Sequence, residues 1–203
     1  MHFFELSLMN NLFFIFKTIY NMKRQILKQS KILNVNNSCA FDSLTIWLNL
    51  IPTSYAVKIV NHFDNDLKYL FVKLTEQLYL KTTPQLKERL LIINNEIKKH
   101  FSTYSNDYLS IDAILFENEK LVESNLLIPK EMDSISIQII NINNNHYVVK
   151  IILEDSIIYI DDIIYLIRHK TKYWNNEKPV IVYNFEKNED LDNLFDKINY
   201  ICD

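Results

Sequence analysis

The 203-residue chain contains no glycine, which removes the usual occupant of every tight turn that needs positive φ. Asparagine is the next residue to tolerate the left-handed region, because its short polar side chain can bond locally. The Asn clusters at 34–37 and 141–145 therefore read first as turns. Alanine is nearly as scarce, while Asn, Ile, Lys, Tyr and Phe are heavily used. These favoured residues have A/T-rich codons, so genome base composition explains the skew better than any activity does. Only two cysteines occur, Cys39 and Cys202. Two thiols build no disulfide framework, and no Cys-x-x-Cys pair exists to seat zinc. The expectation is a reducing compartment, cytosol or nucleus, with Cys39 free for chemistry and Cys202, beside the C-terminus, incidental. A basic excess is missing too: 22 Lys and Arg stand against 25 Asp and Glu. That balance gives no general pull toward nucleic acid or an anionic membrane. No long hydrophobic run is present either. Residues 12–16 are apolar but stop at Lys17, far short of a membrane span. Neither a basic leader nor a small-residue cleavage site precedes them, so an amphipathic helix packing on the domain is expected.

What remains is enough for one domain with a real core. The expected organisation is an N-terminal helical extension over residues 1–30, followed by a single catalytic domain over 31–203. Met22 offers an alternative start. A helix begins at or near Cys39 and runs to Leu50, stopped by Pro52. Residues 54–80 place Val57, Val60, Leu67, Leu70, Phe71 and Leu74 at helical spacing. Thr83-Pro84 opens another helix, and 108–122 is helical again. After Pro129 the pattern changes to alternation and β-branched runs: Ile135–Ile140, Tyr147–Leu153, Ile157–Ile160 and Val180–Phe185. Helices first and strands later predict an α+β fold, a helical N-terminal half packed on a C-terminal antiparallel sheet. An acidic amphipathic tail from Asn188 to Tyr200 predicts a final helix.

The segment Asn34-Val35-Asn36-Asn37-Ser38-Cys39-Ala40-Phe41-Asp42-Ser43-Leu44 carries the first chemical signal. A cysteine in the first turn of a helix faces the positive end of the backbone dipole, which favours thiolate over thiol. A nucleophile needs that shift. The alternative is that Cys39 is a small buried hydrophobe, as most free cysteines are.

A second segment supplies partners. Asn145-His146-Tyr147-Val148-Val149-Lys150 and Ile157-Ile158-Tyr159-Ile160-Asp161-Asp162 flank the turn Glu154-Asp155-Ser156. Paired as a hairpin, they bring an acid at the end of one strand beside a histidine at the start of the other. A carboxylate there fixes the imidazole tautomer and leaves the other nitrogen for a thiol. The candidates are thus Cys39 as nucleophile, His146 as base and Asp161 as orienting acid, with Asp162 as the alternative acid. The competing readings are a turn-capping histidine and a solvated or metal-binding acid pair, though two carboxylates make a poor cage for a hard cation.

These blocks resemble the ubiquitin-specific protease family. Its cysteine box, Asn-Leu-Gly-Asn-Thr-Cys-Tyr-Met-Asn-Ser, is similar to Asn34 through Ser43. Its histidine box, Gly-His-Tyr with a hairpin to Phe-Asp-Asp, is similar to Asn145-His146-Tyr147 and Ile160-Asp161-Asp162. Pro179-Val180-Ile181-Val182-Tyr183 resembles the closing strand, and Ser110-Ile111-Asp112-Ala113 faintly echoes a Gln-Gln-Asp-Ala segment. The resemblance implies a papain-like fold and a thiol isopeptidase acting on ubiquitin or ubiquitin-like conjugates, with no metal or organic cofactor. It also implies an oxyanion-hole role for the Asn34 amide, against which stands a plain turn or cap role. Both family glycines are Asn here, at Asn36 and Asn145, and the family's zinc-bearing fingers have no counterpart. The ovarian tumour deubiquitinases are similar at Cys39, Phe41 and His146-Tyr147, but do not need the acid pair. Transglutaminase-like enzymes share the Cys, His, Asp order and keep acyl transfer open. A papain-fold enzyme on another substrate and a non-catalytic ubiquitin binder are the rival functions.

Overall fold

The computed structural model describes residues 24–32, 38–63, 65–78, 135–143, 146–162, 176–185 and 191–202. Among them are four helices and five strands in one mixed sheet. Strand β1 spans Arg24–Gln29, and helices α1, α2 and α3 span Cys39–Leu50, Thr53–His62 and Asn65–Leu78. Strands β2 to β5 span Ser136–Ile142, His146–Ile152, Ser156–Asp161 and Glu177–Asn184, and α4 spans Leu191–Cys202. The expected helices at 83–97 and 108–122, the Asn34–37 turn and the segment 1–23 lie outside the described residues.

The sheet order is β1-β4-β3-β2-β5. β2 through β5 pair antiparallel, as the alternating Ile and Val runs predict. Two expectations need correction. Residues 24–29 were expected to end a helical extension, but they form β1 and join the sheet of the domain. β1 also runs parallel to β4, with Arg24 opposite Ser156 and Gln29 opposite Asp161. The sheet is therefore mixed, not purely antiparallel, and its fifth strand comes from the N-terminal side.

The three strands at the centre bury both faces. Ile137, Ile139, Val149, Ile151, Ile158 and Ile160 belong to the main core with the helices. Ile140, Ile142, Val148 and Tyr159 form a second buried cluster. Strand alternation alone divides them this way. Asn143, in the turn between β2 and β3, takes φ 53°, the left-handed role expected of Asn in a chain without glycine.

Helix α1 is the centre of the helical layer. Every residue from Cys39 to Leu48 is buried, so it is hidden all round and not amphipathic. Its buried polar groups are satisfied locally: Thr45 Oγ1 donates to the Phe41 carbonyl at 2.7 Å, and Ser38 Oγ to Asp42 Oδ2 at 2.5 Å. Trp47, fully buried, donates its indole N–H to the Ile137 carbonyl at 3.1 Å and thereby fixes α1 on β2. Pro52 forces Ile51 into extended backbone (φ -66°, ψ 164°), which ends the helix as expected. The 54–80 stretch is two helices, not one, because Phe63 turns extended between them. Phe63 stacks on Phe71 at 5.2 Å, closing α2 on α3. Val57, expected in the apolar stripe, is instead 49% exposed.

Candidate active site

Cys39 is the first residue of α1. Its backbone N–H is among the helix-start donors that have no carbonyl within the helix, and Asp42 sits in the same first turn. The thiol side chain is in hydrogen-bond contact with His146, the first residue of β3. Both are buried, Cys39 at 4% and His146 at 8% exposure.

The hairpin register explains the acid. Val149 lies opposite Ile160 across β3 and β4. Running that register on, Asp161 falls two residues short of the position across from His146, which makes them a diagonal pair on one face. His146 Nε2 meets Asp161 Oδ1 at 2.9 Å. Asp162 Oδ1 is farther from the same nitrogen, at 3.7 Å. Asp161 is therefore the hydrogen-bonding acid, and Asp162 acts through its charge. With Nε2 turned to the carboxylates, Nδ1 is left for the sulfur.

Position and electrostatics agree. Burial, the largest influence, opposes charge on His146. It is outweighed by the hydrogen bonds to Asp161 and Cys39 and by the charges of Asp162 and Asp161. Together they push its pKa up to about 11. The site thus stabilises an imidazolium beside a cysteine.

Backbone contacts hold the acid still. Gln29 pairs with Asp161 across β1 and β4, and the Ser30 N–H donates to the Asp161 carbonyl at 2.8 Å. Ser30 Oγ bonds the Ile32 carbonyl at 2.6 Å, and the Lys31 N–H reaches the Ile201 carbonyl of α4 at 2.9 Å. Sequence reasoning missed this support, since nothing near residues 24–30 advertises a partner so distant in the chain. It also passed over Asp42, fully buried and bonded by Ser38 next to the sulfur. An acid three residues after a helix-start cysteine is the signal that was available.

The structure therefore brings together Cys39, His146, Asp161 and Asp162. Asn34 lies outside the described residues. His146, Asp161 and Asp162 also each offer a ligand atom within 4.8 Å of the others, and Cys39 is not in that group. A metal at Nε2 would compete with the proton for that nitrogen. No protein-family model, no curated protein and no solved structure matches the chain. Among the described residues, no helix is long and apolar enough to cross a membrane.

Proposed function

We propose that the chain is a thiol-dependent isopeptidase of papain-like fold that releases ubiquitin or a ubiquitin-like modifier from conjugates. The observation that carries the thiol chemistry is His146 held between Cys39 and Asp161, with 2.9 Å to the acid. The substrate rests on the resemblance of Asn34 to Ser43, and of Asn145 to Asp162, to the ubiquitin-specific proteases. The small exposure of the sulfur suits a slender, extended C-terminal tail as the segment that reaches it.

In this reading His146 takes the Cys39 proton and the sulfur attacks the carbonyl carbon at the modifier's C-terminus. The Cys39 backbone N–H and the Asn34 amide are the oxyanion donors. The C–N bond then breaks, and His146 returns its proton to the departing amine, leaving a thioester. A basic His146 would release that proton reluctantly, but acylation removes the Cys39 hydrogen bond that helps hold it. Water then attacks the thioester with His146 again as base. The C–S bond breaks, and the free thiol and a carboxylic acid result.

A ubiquitin probe with a C-terminal electrophile tests the proposal. Expected is covalent labelling of the native chain, none in Cys39→Ala, and no effect of a chelator. Binding of ubiquitin without labelling would mark a non-catalytic binder. No contact with ubiquitin would leave another substrate, and labelling lost on chelation would favour the metal reading.

A further inference from the structure

The far end of α1 borders a different kind of place. Leu48 lies nine residues beyond Cys39, ~13 Å along the helix axis. There α1, α2, α3 and α4 enclose a concavity of about 780 Å³, a size at which small-molecule sites are found. Its walls mix aliphatic side chains with Asn, Thr and Lys. Val57 and Val60 of α2 and Val72 of α3 line it, with Phe71 beneath. Val57 and Val72 are 49% and 52% exposed, two of the five bulky apolar side chains left to water among the described residues.

Its charges are uneven. Lys68 and Lys197 line the concavity with Glu76. Glu76 is already engaged by Lys73 at 2.8 Å. Among the described residues neither Lys68 nor Lys197 has a carboxylate partner. Lys197 gives one hydrogen bond to the Ile51 carbonyl at 3.1 Å, which leaves two of its three donors unused. Burial also pushes its pKa down, the mark of an ammonium that lacks a compensating anion. A partly apolar trough with two lysines, and with Glu76, its one acid among the described lining residues, engaged by Lys73, is complementary to an apolar anion.

We propose that this concavity binds a fatty acid, its chain between the valines of α2 and α3 and its carboxylate on Lys68, which has no ion pair among the described residues. The site is separate from Cys39 and does not rest on the isopeptidase reading. An acidic helical peptide is the less suited occupant, because the lining is a pocket of small-ligand size with partly aliphatic walls.

The test is calorimetric titration of the full chain with laurate and with dodecanol, both kept below micelle formation. Laurate binds, and dodecanol, with the same tail and no charge, binds about tenfold more weakly, as expected for loss of a charge-assisted hydrogen bond. Lys68→Gln weakens laurate by a similar factor and leaves dodecanol unchanged. Val72→Asp, at a half-exposed position, weakens both. Lys197→Gln also removes the bond to Ile51, so it is read only alongside an unchanged melting temperature. Equal affinity for acid and alcohol, undiminished binding to Val72→Asp, or no laurate binding overturns the proposal. An acidic amphipathic peptide that binds where laurate does not would do so in favour of a protein partner.

Discussion

At its first residue α1 holds a sulfur that is buried against a histidine, with two carboxylates behind that ring. Three turns later the same helix borders a concavity whose lysines have no carboxylate partner among the described residues. The first end is closed: its imidazole and carboxylates are buried and turned on one another. The second end is open, in solvent exposure and in charge. Buried charge is tolerated only where it is matched, so the closed end is suited to perform a reaction within itself, and the open end to receive a partner. Trp47 sits between them and keeps both in register with the sheet.

The sharpest way to break the comparison is at the closed end. Asp161→Asn should lower kcat on a fluorogenic ubiquitin substrate by about 10⁴-fold, through loss of the orienting carboxylate. Asp162→Asn, 3.7 Å from the ring, should cost less than Asp161→Asn, since Asp162 acts on His146 by charge and Asp161 by a hydrogen bond as well. A larger effect at Asp162 would reassign the acid. Next comes the anchor. Trp47→Ala should destabilise the fold by about 3–5 kcal/mol in urea denaturation, because it empties a fully buried site and removes the indole bond to the Ile137 carbonyl. A loss under about 1 kcal/mol would show that α1 is held by other contacts.

The pH dependence of the closed end is smaller but has a definite sign. His146 is raised in the folded chain from 6.5 to about 11. Its contribution to stability is fully present below pH 6.5 and is lost as pH rises toward 11. Thermal melts between pH 7 and 9.5 should fall with pH, and Asp161→Asn should flatten that slope. The window stops short of the region where Tyr159, raised by burial and then by Glu177, contributes a loss of its own. Imidazole NMR should show the ring still protonated at pH 8. The smallest effect belongs to the open end: Lys68→Ala should shift stability by no more than about 0.5 kcal/mol and leave probe labelling intact.

The parts legible in the sequence were those with local causes. Pro52 marked the end of α1, and the turn at 154–156 between two β-branched runs marked the hairpin, from which His146 and Asp161 followed. Asn143 showed itself because no glycine was there to take its place. β1 was illegible for the opposite reason. Its only apolar residues, Ile26 and Leu27, are adjacent, so they neither alternate nor follow a helical period, and its partner is Ser156–Asp161. The concavity was hidden by periodicity itself: Val57 satisfies helical spacing as a core residue does, yet half of it faces water. A period says which residues share a face, and only packing says what covers that face.

The parallel pairing of β1 with β4 also bears on when the chemistry begins. Gln29 leaves a ribosome more than 130 residues ahead of Asp161, which its strand steadies. Closing so long an interval is slow compared with forming a hairpin or a helix. A nascent chain therefore carries its thiol without base or acid for the more than 100 residues that separate Cys39 from His146. Its reactivity would switch on only once both distant segments have emerged and paired.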